Sequence, residues 1–337
     1  MIMGSRISVC RSKRKTACVI EKYEVVPEVE NQYLAQEEVR RRSLDSEGDA
    51  RSLTRLYDIG ENLSRIGQNK VYSGVRISDG APIAVKKLLK KKVVAWGELT
   101  GKPVPLEICL LDKLKHITGV IKMLDYFEDY DCFNVVMERP DPVADLDCVI
   151  NQRGLMDEPT ARRLFRQIVN VVINIMTAGV VHRCIIAKNI LVDQAGFIRL
   201  INFGYGAFLK NNVFDTLPGD ALYHPPEWIQ HKKYHPRSTT VWTLGIILYF
   251  MMHATMPFRT SDSILNDKPW LLSNLSPELK ILINRCLSKG TLERIKLEQI
   301  PRNYWMNIGY DSSCRDEISR HCSRVSFNEY VDVEDMG

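Results

Sequence analysis

The feature that most restricts the fold is a change of hydrophobic period partway along the chain. From Tyr57 to about Glu138 the apolar residues fall in β-rich runs, Lys70 to Ile77, Pro82 to Leu88 and Phe133 to Met137, with one helical stretch around Leu106 to Leu114. After Asp157 the spacing changes. Ala161, Leu164, Phe165, Ile168, Val171, Val172, Ile175 and Met176 fall at three- and four-residue steps on one helix face, and Gly179 supplies the stop. Two short strand-like runs, Ile190 to Val192 and Phe197 to Ile201, flank a turn at Gln194 to Gly196, and the rest reads as mostly helical to about Met306. Strands followed by helices predict an α+β chain with two lobes: a small β-rich lobe over 56–138, a connector at about 138–142, and a larger helical lobe over 143–306. Residues 1–55 are polar and aperiodic, and the tail 307–337 ends in an acidic run, so both are expected to be mobile.

Composition excludes several classes. The chain has 337 residues, 45% of them hydrophobic and 26% charged, which is too apolar for a disordered protein. Its net charge of +5 arises from 46 basic residues interleaved with 41 acidic ones, a solvated mixed surface rather than a nucleic-acid footprint. Nine cysteines are scattered without a CxxC pair, the pattern of reduced thiols in the cytoplasm or nucleus rather than of disulfides or zinc. The basic N-terminus lacks the apolar core of a secretory signal. The longest apolar stretch, Val241 to Met252, is interrupted by Thr243 and Gly245 and falls short of the roughly 20 residues of a membrane span, so a buried core helix is expected there. There are no internal repeats.

Several short motifs occur in a fixed order. Ile83-Ala84-Val85-Lys86 places a lysine on a strand, and Glu107 lies in the helical stretch that follows. Further on come His182-Arg183-Cys184 with Asn189 five residues later, then Asn202-Phe203-Gly204, then Pro225-Pro226-Glu227. The ordered set resembles the phosphate-holding lysine, its glutamate partner, the catalytic loop, the metal-binding triplet and the end of the activation segment of protein kinases. The segments VYSGVRISDGAPIAVK, WGEL, ERPDPVADL, PPEWI and YHPRSTTVWTLGIILY are similar to those of Pim serine/threonine kinases, and the likeness covers about Leu56 to Met306. Pro140, in the stretch Glu138-Arg139-Pro140, fits this narrower likeness, because a hinge proline lacks the N–H that adenine usually meets.

The resemblance implies a two-lobed protein kinase fold and ATP-dependent serine/threonine phosphotransfer with magnesium. It implies roles for Lys86 and Glu107 at the phosphates, for Leu63, Val71, Ala84, Met137 and Leu191 as apolar walls of the nucleotide pocket, and for Glu138 at the hinge. Asn189 and Asn202 take the metal positions, and Glu227 with Arg294 form the ion pair that braces the large lobe. Trp242, Leu244, Gly245, Ile247, Leu248 and Met251 resemble the central hydrophobic helix.

Against that background the chemistry is depleted. Aligning on Val71-Tyr72 puts Ser64, Ile66 and Asn69 where three phosphate-loop glycines belong, with Gly67 out of register. Cys184 replaces the catalytic aspartate, and a thiol with a reference pKa near ~8.5 is a poor proton acceptor at neutral pH. Losing a positioned base typically costs about 10²–10⁴-fold in rate. Ile186 stands where the family has the lysine that contacts the transferred phosphate. Asn202 replaces the magnesium-binding aspartate, and the retained Asn189 cannot supply the missing anion. Asp220 stands where a threonine is expected beside the catalytic aspartate.

The leading expectation is therefore a pseudokinase: a binding or regulatory module for proteins, such as substrates or regulators of active Pim-like kinases, with weak or absent binding of ATP and magnesium. A weakly active kinase on basic-directed substrates is the alternative, and nucleic-acid binding through the N-terminal extension ranks below it. In that extension Arg40-Arg41-Arg42-Ser43 resembles a basophilic kinase site, although a solvated charge run is the preferred reading. No membrane association is expected.

Overall fold

The computed structural model describes residues 52–63, 70–140, 143–209 and 213–309. The arginine run before Ser43, the phosphate-loop positions Ser64, Ile66, Gly67 and Asn69, nearly all of the N-terminal extension and the tail beyond Gly309 lie outside the described residues.

In the small lobe, a helical turn α1 (Leu53–Leu56) leads into β1 (Tyr57–Asn62), β2 (Lys70–Arg76) and β3 (Pro82–Leu89). A hairpin, β4 (Trp96–Leu99) and β5 (Lys102–Pro105), precedes helix α2 (Leu106–Leu114), and β6 (Met123–Glu128) and β7 (Cys132–Glu138) complete the sheet. The five strands run in the order β1-β2-β3-β7-β6, with every neighbouring pair antiparallel. On the outer face Tyr57, Ile83, Val85, Phe127 and Val136 make a small apolar cluster of their own. The inner face joins α2 and the large lobe in one continuous core, in which Ile108, Leu110, Leu111 and Leu114 are buried. Fully burying each such leucine contributes about 1.5–3 kcal/mol, which fixes the helix against the sheet.

The large lobe opens with β8 (Val143–Asp145), α3 (Leu146–Arg153) and the long helix α4 (Glu158–Thr177). Asp157 caps α4 by accepting from Thr160 N at 2.8 Å, and the eight apolar residues of the sequence stripe are all buried. The helix stops where Gly179 takes φ +78°. Next come β9 (Val180–Val181), β10 (Ile190–Asp193), β11 (Ile198–Leu200) and β12 (Ala207–Phe208). They form the ladders β11-β10-β8 and β12-β9, which carry the loops of the site. Helices α5 (Pro226–His231), α6 (Pro236–His253), α7 (Ser261–Asn266), α8 (Pro277–Cys286) and α9 (Tyr304–Asn307) complete the lobe. The apolar stretch at 241–252 is the interior of α6, buried almost all round, with Trp242 stacked on Phe258 at 5.7 Å. Among the described residues no helix is long and apolar enough to cross a membrane.

The named strand and helix segments appear with ends shifted by a residue or two, but the stretch expected to be mostly helical after Ile201 begins with short turns and β12, and its first α-helix starts only at Pro226. The β4–β5 hairpin, β1 and β6 are additions the sequence reading did not make.

Candidate functional site

The site is assembled by a hairpin, a helix start and two loops. Leu106 N donates to Ala95 O at 2.9 Å where α2 leaves the hairpin, so Glu107 in the first helical turn faces β3. Lys86 on β3 donates to both oxygens of Glu107, at 2.6 and 2.8 Å, and both side chains are buried. Its third donor goes to Asn202 Oδ1 at 3.0 Å. An ammonium carries three N–H donors, so Lys86 is saturated by the protein itself.

Asn202 sits at φ +67°, a left-handed conformation that asparagine tolerates, at the head of the turn Phe203–Tyr205. Its Nδ2 donates to Asn189 Oδ1 at 3.3 Å, and Asn189 Nδ2 donates to the carbonyl of Cys184 at 2.9 Å and to its Sγ at 3.4 Å. The reverse orientation of the Asn202 amide would set an NH₂ against the lysine ammonium, so the network itself fixes the oxygen towards Lys86. A chain of neutral amides thus runs from the small lobe to the catalytic loop, with every member satisfied.

Cys184 closes that chain. It is 5% exposed, and burial pushes its thiol up to about 11, opposed by the Asn189 hydrogen bond and reinforced by the nearby Asp220 carboxylate. A thiol raised in this way stays protonated at neutral pH and is a poor proton acceptor. Gly219 lies against it, since a Cβ there would stand 3.3 Å from Cys184 Sγ. Asp220 itself is exposed and caps the short turn Ala221–Tyr223 through Leu222 N at 3.0 Å. Ile186 packs against the apolar core, so no positive side chain projects from that position.

Cys184 N donates to His182 Nδ1 at 3.2 Å, which leaves Nε2 to carry the proton and donate to Ile201 O at 2.9 Å. The ring meets Phe203 edge-on at 4.6 Å, and burial lowers its pKa to about 4. Arg183, at φ +65°, donates to Tyr234 OH at 2.9 Å and to Thr216 Oγ1 at 2.7 Å as well as to the Thr216 carbonyl, and it lies over the Phe214 ring. Sequence reasoning missed this latch on the segment after Asn202. Its signal was an arginine in the catalytic-loop motif, whose partners are set only by the folded chain.

The apolar wall residues form a second group. Val71, Ala84, Met137 and Leu191 are half-buried, whereas their neighbours Ile83, Val85, Val136, Ile190 and Val192, on the opposite faces of the same strands, are buried. Leu63 is 46% exposed and its N–H bonds Val71 O at 2.7 Å. The Glu138 side chain is turned to Lys122 N, at 3.0 Å, and Arg199, at 3.4 Å, and its own N–H donates to Lys122 O at 3.0 Å. Away from the cleft, Arg294 grips both oxygens of Glu227 at 2.7 and 2.9 Å and also bonds Ser238 and Ser288.

The donor set does not fit a magnesium ion. Both amide oxygens at the expected metal positions accept protein hydrogen bonds, and neither residue carries the negative charge that a hard divalent cation seeks.

A five-stranded small lobe with one buried helix, a helical large lobe and a lysine–glutamate pair facing the loops between them define the protein kinase fold. Residues 57–306 match the family model described as protein kinase domain. The chain belongs to the protein kinase domain family. It is 39% identical over 261 residues to the serine/threonine-protein kinase pim-2 of Danio rerio, covering 74% of this chain and 84% of that one. It is 34% identical over 286 residues to the serine/threonine-protein kinase prk-2 of Caenorhabditis elegans, covering 82% and 65% respectively. The testis-specific serine/threonine-protein kinase 5 of Mus musculus is 31% identical over 224 residues, 63% of this chain and 60% of that one.

Proposed function

We propose that this chain is a Pim-type member of the serine/threonine kinase family that does not transfer phosphate and acts as a binding or regulatory module. The observation that carries the reading is Cys184: a buried thiol, pushed up to about 11, occupies the place of the proton acceptor. Around it the magnesium carboxylate is an amide and the phosphate-contacting lysine is Ile186. These groups act as one machine, so their losses do not add as independent penalties, and no single substitution restores it.

The frame that presents a kinase surface is kept, with Lys86 paired to Glu107 and Arg294 to Glu227. A preserved surface beside a silent cleft suits a protein that occupies substrates or regulators of active Pim-type kinases. Free thiols, mostly buried among the described residues, suit the cytoplasm or nucleus for that work.

The test is transfer of labelled phosphate from ATP with magnesium, to the chain itself and to a basic peptide. Label incorporated by the unmodified protein is expected to equal that of Lys86→Ala, while the double variant Cys184→Asp, Asn202→Asp gains a measurable signal. Turnover by the unmodified chain that vanishes in Lys86→Ala would overturn the reading.

A further inference from the structure

We infer that the cleft takes an uncharged, flat heteroaromatic ligand of nucleoside size in preference to any nucleoside polyphosphate, and that it does so without a metal ion. The inference deepens the reading above and rests on it, since a working phosphotransferase must prefer the triphosphate.

Two halves of the cleft have been altered differently. The apolar half keeps Val71, Ala84, Met137 and Leu191 half-buried, and the residues on either side of Ala84 and Leu191, with Val136 beside Met137, are sealed in the core. Those surfaces are available to a flat ring, whose burial is favourable whatever the ring carries beyond them. The polar half has been closed from within. Lys86 spends its three donors on Glu107 Oε1, Glu107 Oε2 and Asn202 Oδ1, at 2.6, 2.8 and 3.0 Å. The two amides beyond it satisfy each other and Cys184.

A phosphate group reaching Lys86 must displace one of those acceptors. Displacing Glu107 strands a carboxylate that is 6% exposed, and displacing Asn202 breaks the chain to Asn189. Either way only the Lys86 ammonium, already paired to Glu107, stands between that carboxylate and the phosphate oxygens, because no carboxylate at position 202 holds a divalent ion to balance the further charge. A neutral ring makes none of these demands. The family's usual order of affinity is thereby inverted: the phosphates contribute nothing, and the metal that would have made them useful has no seat.

The experiment is isothermal titration of the full chain with adenosine, with ATP, and with ATP plus magnesium. Adenosine is expected to bind at least as tightly as ATP, and magnesium to change the ATP dissociation constant by less than about twofold. Asn202→Asp supplies an anion to the metal position, so magnesium–ATP is expected to tighten about tenfold or more in that variant, with adenosine little changed. Magnesium–ATP binding about tenfold tighter than adenosine in the unmodified chain would overturn the inference, and so would an absence of adenosine binding at millimolar concentration. Both results leave the silent-enzyme reading standing, because that reading is judged by phosphate transfer alone.

Discussion

His182 and His224 are both held neutral by burial, each with its pKa lowered to about 4. A folded pKa below the unfolded value means that the unfolded chain takes up protons first as pH falls. The stabilising contribution is therefore complete above about pH 6.5, the unfolded value, and is lost as pH falls towards about 4, with at most about 3 kcal/mol from His182. Urea unfolding followed from pH 7.5 to 4.5 should show the midpoint falling through that window, with a flatter profile in His182→Asn. Arg294 makes a second residue-scale case, because its guanidinium neutralises a Glu227 carboxylate whose side chain is only 11% exposed. Arg294→Ala is expected to cost about 3–5 kcal/mol in denaturant unfolding, since the carboxylate is left buried and unpaired, whereas the double variant Arg294→Ala, Glu227→Gln should recover part of it. Individual site residues were legible where a side chain's chemistry is read from its place in a motif, as at Cys184, Ile186 and Asn202. The bond from Lys86 to Asn202 was not, because it joins residues 116 positions apart and depends on which way an amide points.

Helices α2 and α4 were legible because each presents a continuous apolar face of the right period, and α2 runs over the same residues, Leu106–Leu114, that the pattern predicts. The β4–β5 hairpin was not. Pro103 and Pro105 argue against a strand, yet in a two-stranded ladder residues two apart share an orientation, so both prolines can sit where an N–H would point away from the partner. Thr100 at φ +50° and Gly101 at φ +77° make the turn. This hairpin fixes the helix that carries Glu107. Trp96 meets Phe133 edge-on at 6.0 Å, and a Cβ on Gly97 would come within 2.6 Å of Cys109 Sγ. Gly97→Val is therefore expected to push α2 outward and loosen the Lys86–Glu107 pair. Hydrogen exchange over residues 106–114 should then quicken by about tenfold or more, a loss of at least ~1.4 kcal/mol of local protection, while α4 stays unchanged. Equal exchange in both proteins would show that the hairpin does not position the helix.

Across the whole molecule the frame is that of the protein kinase domain, while Cys184, Ile186 and Asn202 depart from the family motif. The two lobes keep a continuous core running from α2 through α4 to α6. The polar residues between them have become a self-contained chain, Lys86 to Asn202 to Asn189 to Cys184, that holds the lobes in register without a ligand. The lobed architecture was readable because core periodicity survives the replacement of site residues one at a time. The self-closure of the site was not, because it is a property of geometry rather than of residue type. The claim on which the account rests is that this chain offers no seat for a divalent ion. Free manganese can be counted by electron paramagnetic resonance as the metal is titrated into ATP, with and without the full chain. The account expects the bound manganese to match that of ATP alone at every concentration, and one or more additional ions held per chain would contradict it.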